Sequence, residues 1–292
     1  MSKIKVVVVG NCQARPLAKI IESLNRSVEV TAIAIVHLLK SEQFDEYRSH
    51  FEAADLIVSQ LVMDSYPCEF VRTSFLNSLY GEKVLSIVNL YFTGYTPDWF
   101  YIRIPERGPL RGPMGDYHNR TVLGAWQEGI SVEEAARRLE DPEFNRRYLP
   151  EIQASFNQLR ERESKVDVKV SDLIEKNFKK SRMFFTFNHP NMFLIRKYAE
   201  RILKQAKIGR KSTWFRPKDR ELLNQFVPLA NPAMGLPAGS LSSHKGVKCS
   251  IDDQNLVTIG RRKEYSSQEI VAEFYRIYER LGDELDLREL RV

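Results

Sequence analysis

The sequence predicts an α/β fold, with a doubly wound, mainly parallel sheet, a helical insertion and a basic, partly helical C-terminal part. Three observations predict it. Short continuous β-branched runs, of which Ile4 to Val9 is the clearest, suit strands buried on both faces of a parallel sheet. Helical stretches of crossover length separate these runs. The alternation then breaks in a Gly- and Pro-rich stretch from Phe92 to Asn119, and helical pattern dominates beyond it.

Taken in order, the first strand runs from Ile4 to Val9 and ends at Gly10. Leu17, Ile20, Ile21 and Leu24 then repeat at helical spacing, and Pro16, acceptable only in a first turn, starts that helix near Arg15 or Pro16. Val28 to Val36 is a second strand, Ser41 to Ala53 a polar helix and Asp55 to Val62 a third strand. A helix near Glu69 to Tyr80 leads to a fourth strand from Lys83 to Leu90. The segment Arg107 to Gly115 is too rich in Gly and Pro for regular structure. Ser131 with Glu134 forms a capping box, and helical pattern continues from Tyr148 to Arg162 and from Asp172 to Phe178. Met183 to Phe187 reads as the sheet resuming, His189-Pro190 as the opening of a helix, Asn231 to Gly246 as loop, and Ser266 with Glu269 as the start of a terminal helix. The expected organisation is an α/β core over 1–100, an insertion over 101–180, and the returning core with a basic region over 181–292.

With 43% hydrophobic and 28% charged residues, the chain has the balance of a soluble globular protein. The most apolar runs are of strand length, so no membrane span is expected and a cytoplasmic location is. Cys12, Cys68 and Cys249 are odd in number and irregularly spaced, which argues against a disulfide framework or a zinc site. The net charge of +6 divides into −2 over the first hundred residues and +8 over the rest. Clusters at Lys179, Lys180 and Arg182, along Arg196 to Arg220, and at Arg261 to Lys263 suit an anionic partner.

In an open parallel sheet, ligands bind beyond the carboxyl ends of the strands. The first strand ends at Gly10-Asn11-Cys12-Gln13, the third near Gln60, the fourth at Asn89-Leu90-Tyr91, and the expected fifth at Asn188-His189-Pro190-Asn191. Cys12 lies between a buried strand and a helix start, where backbone amides favour a thiolate and cradle an oxyanion; the bland alternative is a small apolar residue packed under the turn. Pro16 disfavours helical geometry at Arg15, which puts Cys12 in the turn before the helix. A thiol nucleophile needs a base, and His189 is the natural partner. His118 is a second candidate. Asn11, Gln13, Gln60, Asn188 and Asn191 are candidates for positioning or for holding an oxyanion. Arg15, Arg111 and His118 are candidates for the cofactor, with Arg111 in a glycine-bearing segment expected to be flexible enough to close over it.

The quartet Gly10-Asn11-Cys12-Gln13 with Ala14 to Leu17, the strand Asp55 to Gln60, the stretch Asn89 to Asp98, and Phe185-Thr186-Phe187-Asn188-His189-Pro190-Asn191 resemble the WcbI family of capsular polysaccharide biosynthesis proteins over roughly the first two hundred residues. The resemblance implies transfer of an acetyl group from acetyl-coenzyme A to a sugar hydroxyl, with Cys12 and His189 as the reactive pair and no metal. The layout is also similar to SGNH hydrolases, in which a serine after the first strand works with a late histidine. Here the nucleophile position is cysteine, and Thr186 stands where that motif has aspartate, so the group orienting His189 is open between Asn188 and Asn191. The rivals are an esterase or thioesterase using the same pair, and a noncatalytic module for a nucleotide, a glycan or nucleic acid. Trp214 and Phe215 are modest support for nucleic acid.

Overall fold

A computed structural model describes residues 3–105, 107–209, 220–236, 242–282 and 284–291. The chain divides into two compact units, each assembled from separated segments: 1–91, 157–176 and 189–222 in the first, and 92–156, 177–188 and 223–292 in the second. This differs from the three consecutive segments expected.

The first unit is built on a four-stranded parallel sheet of β1 (Ile4–Gly10), β2 (Val28–Ile35), β3 (Leu56–Gln60) and β4 (Val84–Ile87), in the order β2-β1-β3-β4. Val6 to Val9 are at most 1% exposed, because both faces of the sheet are covered. On one face, Val7, Val9 and Ile57 join Phe51, Phe70 and Leu76, which come from α2 (Phe44–Ala53), α3 (Thr73–Tyr80) and the turn before α3. α1 (Ala14–Leu24) packs beside the Met192–Gln205 helix. These two helices run in the same direction. Gln13 and Leu17 meet Ile195 and Tyr198 around one small void, whereas Leu24, Leu203 and Lys204 line a separate cavity of about 440 Å³.

Because the first crossover leads from β1 to β2 and the chain then returns to β3 on the other side, the strand order reverses between β1 and β3. Such a reversal opens a crevice at the carboxyl edge.

The strand expected over Met183 to Phe187 exists as Phe184–Thr186, but it is not a member of the four-stranded sheet. Arg182 accounts for this. Its guanidinium donates to the carbonyl oxygens of Phe184, Phe185 and Pro228, so backbone groups that would enter a ladder are satisfied within the second unit. At the β4 edge Val168 takes the place instead, in a parallel bridge to Ile87.

The second unit packs the Ser267–Leu281 helix against the helices Arg120–Gln127 and Val132–Glu140. Phe92, Tyr95, Phe156, Phe178 and Phe184 form an aromatic core. The Gly- and Pro-rich stretch is more ordered than expected, since Trp99–Tyr101 pairs with Tyr117–Asn119 and Arg103–Ile104 with Gly108–Pro109, both antiparallel. His244–Ile251 and Val257–Tyr265 form an antiparallel hairpin, which starts inside the loop expected over Asn231 to Gly246 and continues through residues given no expected structure. Ser266 and Glu269 make the expected reciprocal capping box.

Candidate active site

The turn between β1 and α1 is fixed by two glutamines. Gln13 is 2% exposed and grips the backbone of Leu90: its Nε2 donates to the carbonyl at 2.8 Å, and its Oε1 accepts from the amide at 2.9 Å. Gln60, at the end of β3, donates from Nε2 to Gln13 Oε1 at 3.2 Å and accepts from the Asn11 amide at 2.8 Å. Gly10 makes this approach possible, for a Cβ there would stand 2.7 Å from the Gln60 side chain. The ends of β1, β3 and β4 are thereby locked into one rim. Of the two expected parts, positioning or holding an oxyanion, these contacts fit positioning: the amides of Gln13 and Gln60 are paired with each other and with backbone.

Cys12 is half-buried in the turn just before α1, with Gln13 at the N-cap. Burial pushes its thiol above the ordinary value of 9.0, while the backbone N–H groups of Cys12 and Gln13 act the other way. The expected depressed pKa is therefore reversed: desolvation outweighs the amides.

His189 lies three residues before the Met192–Gln205 helix and is half-buried. Cys12 and His189 thus precede the starts of two helices that run side by side in one direction. Burial lowers the His189 imidazole to about 4, so it is neutral at physiological pH. The helix begins after His189-Pro190 rather than with it. Asn191 is its cap, accepting from the Leu194 amide through Oδ1 at 2.9 Å.

The other expected residues fall as follows. Asn188 belongs to the second unit, where its Oδ1 accepts from Tyr117 Oη at 2.5 Å and Thr186 Oγ1 at 3.0 Å, and its Nδ2 donates to Tyr101 Oη at 3.0 Å. Both ends of its amide are engaged there. His118 is fully buried in the same unit, between Tyr278 Oη at 2.8 Å from Nδ1 and the Leu110 carbonyl at 3.0 Å from Nε2. Nε2 is thus the donor and Nδ1 the acceptor, and burial lowers this imidazole to about 4. A side chain so enclosed corrects its assignment to a cofactor. Arg15 is exposed on the first turn of α1, and Arg111 is exposed in the second unit. The segment holding Arg111 is not the flexible one expected: Gly112 and Gly115 exchange backbone hydrogen bonds at 2.7 and 2.9 Å, and a Cβ on Gly115 would meet the Phe226 ring at 2.6 Å. Trp214, Phe215 and the basic positions between 210 and 219 lie outside the described residues.

Sequence reasoning missed Arg162 and the wall after β3. Arg162 donates to Asn89 Oδ1 at 2.6 Å, to the Asn89 carbonyl at 3.2 Å and to the Tyr91 carbonyl at 2.7 Å, holding the chain as it leaves β4. Its position in a mixed-charge helix gave no signal. Val62, Met63, Ser65 and Tyr66 line a cavity of about 380 Å³ together with Asn11 and Asn89, at the crevice between β1 and β3. Their place, just after a strand's carboxyl end, was the available signal.

A family model described as the polysaccharide biosynthesis enzyme WcbI matches residues 5–211. The chain belongs to the WcbI family. A solved structure of WcbI, a polysaccharide biosynthesis enzyme captured as native protein without a disulfide bond between coenzyme A and one of its cysteines, is similar in fold. It is 21% identical, with a TM-score of 0.71, and the match covers 99% of this chain and 100% of that one. No curated protein matches the chain. Among the described residues of this WcbI family member, no helix is long and apolar enough to cross a membrane.

Proposed function

We propose that this member of the WcbI family is a coenzyme A-dependent O-acyltransferase that moves an acyl group from an acyl-coenzyme A to a sugar hydroxyl, in capsule or related polysaccharide synthesis. The observation that carries the reading is the Cys12 turn: a thiol with two backbone N–H groups directed toward it, on a rim locked by Gln13 and Gln60. The solved WcbI structure is described as the native form without a disulfide bond between coenzyme A and a cysteine, and carried to this chain Cys12 is the cysteine that would meet the coenzyme's sulfur.

In this mechanism the thioester carbonyl lies over the turn. Attack by the Cys12 sulfur forms a new sulfur–carbon bond as the thiol proton passes to the neutral His189 imidazole, and the developing oxyanion is stabilised by turn amides and the start of α1. The carbon–sulfur bond to coenzyme A then breaks, and its thiolate takes the proton back from His189. A sugar hydroxyl repeats the sequence: His189 accepts its proton, the oxygen–carbon bond forms, and Cys12 leaves and is reprotonated. Arg15 is the proposed contact for a phosphate of the coenzyme. Direct attack by the sugar hydroxyl, with His189 as base and no acyl-cysteine, is the second reading, and the raised thiol pKa of Cys12 favours it.

The test measures transfer and hydrolysis side by side. Acetyl-coenzyme A is expected to bind without sugar, raise the melting temperature by mass action, and bind more weakly as salt rises. His189→Ala should lower transfer by about 100- to 10,000-fold with coenzyme affinity kept. An acetylated Cys12 trapped by mass spectrometry selects the covalent route. No binding of acetyl-coenzyme A at millimolar concentration would sink the transferase reading and promote the hydrolase.

A further inference from the structure

The cavity at the carboxyl edge of the first unit has a chemical character that the acyl-transfer mechanism leaves unassigned. Its volume, about 380 Å³, is within the roughly 300–1,000 Å³ of small-molecule sites. None of the residues lining it carries a carboxylate, ammonium or guanidinium group. Val36, Val62 and Met63 supply apolar surface, and Asn11, Asn89 and Ser65 supply polar groups.

The two asparagines are oriented from behind. Asn11 Oδ1 accepts from the Gln13 amide at 3.0 Å, and Asn89 Oδ1 accepts from Arg162 at 2.6 Å. With their oxygens engaged, the Nδ2 group of each is the donor left over, and neither Nδ2 hydrogen-bonds to a described residue. The cavity therefore offers oriented N–H donors and a hydroxyl beside apolar surface. That set matches the hydroxyl oxygens and C–H faces of a sugar ring. An acidic sugar would lose hydration and meet no charged group among the lining residues, while the Arg162 guanidinium behind Asn89 is already engaged by three carbonyl oxygens.

We infer that this cavity is the acceptor subsite and that it selects an uncharged sugar ring, with Asn11 and Asn89 as its donors and Arg162 as the positioning residue behind Asn89. The inference rests on the acyltransferase reading. Lys in place of Arg162 would keep the charge and lose the fork that grips three carbonyl oxygens at once.

The test uses the full chain and saturation-transfer NMR with methyl β-glucoside, methyl β-galactoside and methyl α-mannoside, each against its uronic acid, with calorimetry of acetyl-coenzyme A run separately. At least one neutral glycoside is expected to bind, with its uronate about tenfold weaker or worse, and Asn89→Ala and Arg162→Lys are expected to weaken that glycoside by about tenfold, as for loss of an oriented hydrogen bond. Coenzyme affinity should stay within about twofold in both variants, and Asn89→Ala carries the test if Arg162→Lys does not fold. The inference is overturned if uronates bind as well as neutral glycosides, if no neutral glycoside binds, or if pantetheine displaces the glycoside competitively. Glycoside binding that behaves as expected in a protein that never binds acetyl-coenzyme A would instead remove the acyltransferase reading and leave the sugar site standing.

Discussion

Cys12 is pulled in opposite directions, up by burial and down by the amides of its own turn, and burial wins. At neutral pH the resting group is a thiol, and a thiol attacks only when a base removes its proton. In the proposed mechanism the neutral His189 imidazole is that base. The expected outcome for alkylation by iodoacetamide is a rate that climbs into the alkaline range with a midpoint above 9.0, and a midpoint below neutrality would show that the amides dominate after all. The place of Cys12, in the turn between β1 and α1, was legible because a buried β-branched run and a first-turn proline bracket it; that of His189 was read from a fifth strand that does not join the central sheet. The glutamines were legible only as polar groups at the right edge. Which amide pairs with which depends on how the ends of β1, β3 and β4 approach, and no local pattern records that. His118 was misread for a similar reason, as the Tyr278 hydroxyl that encloses it lies 160 residues away in sequence.

At the level of elements, the β1–α1 turn depends on Gly10 having no side chain. Gly10→Ala places a Cβ 2.7 Å from Gln60, which must withdraw and release the Asn11 amide. A loss of about 1–3 kcal/mol is expected from the unpaired groups. Gln60→Ala in the same background should recover part of it by removing the clash, so the two substitutions will be non-additive in thermal melts. Simple additivity would mean that the glycine is not there for Gln60. The four parallel strands were readable because continuous β-branched runs have few other uses. The Val257–Tyr265 strand was not, for Arg261, Arg262 and Glu264 face solvent and the stretch registered only as a basic cluster. Nor was the departure of Phe184–Thr186 from the central sheet, which turns on Arg182 satisfying its carbonyls.

Across the whole molecule, the division into two units left no trace in composition, because the chain passes between them several times and neither unit is a contiguous stretch. What the whole molecule does share is a set of histidines kept neutral by burial: His118 and His189 at about 4, and His244 at about 3. In an unfolded chain each would titrate near 6.5. Between that value and the folded ones the unfolded state binds more protons, so stability is fully present above about pH 6.5 and falls as the pH drops toward 4. Each fully buried imidazole contributes up to about 3 kcal/mol to this fall, at roughly 1.4 kcal/mol per pH unit. Urea melts at a series of pH values should therefore show stability dropping steadily from pH 6.5 to pH 4, before most carboxylates protonate. His118→Asn combined with His244→Asn should flatten that slope even though the variant is less stable at neutral pH through lost packing. A slope unchanged by removal of both imidazoles would assign the acid sensitivity to carboxylates instead.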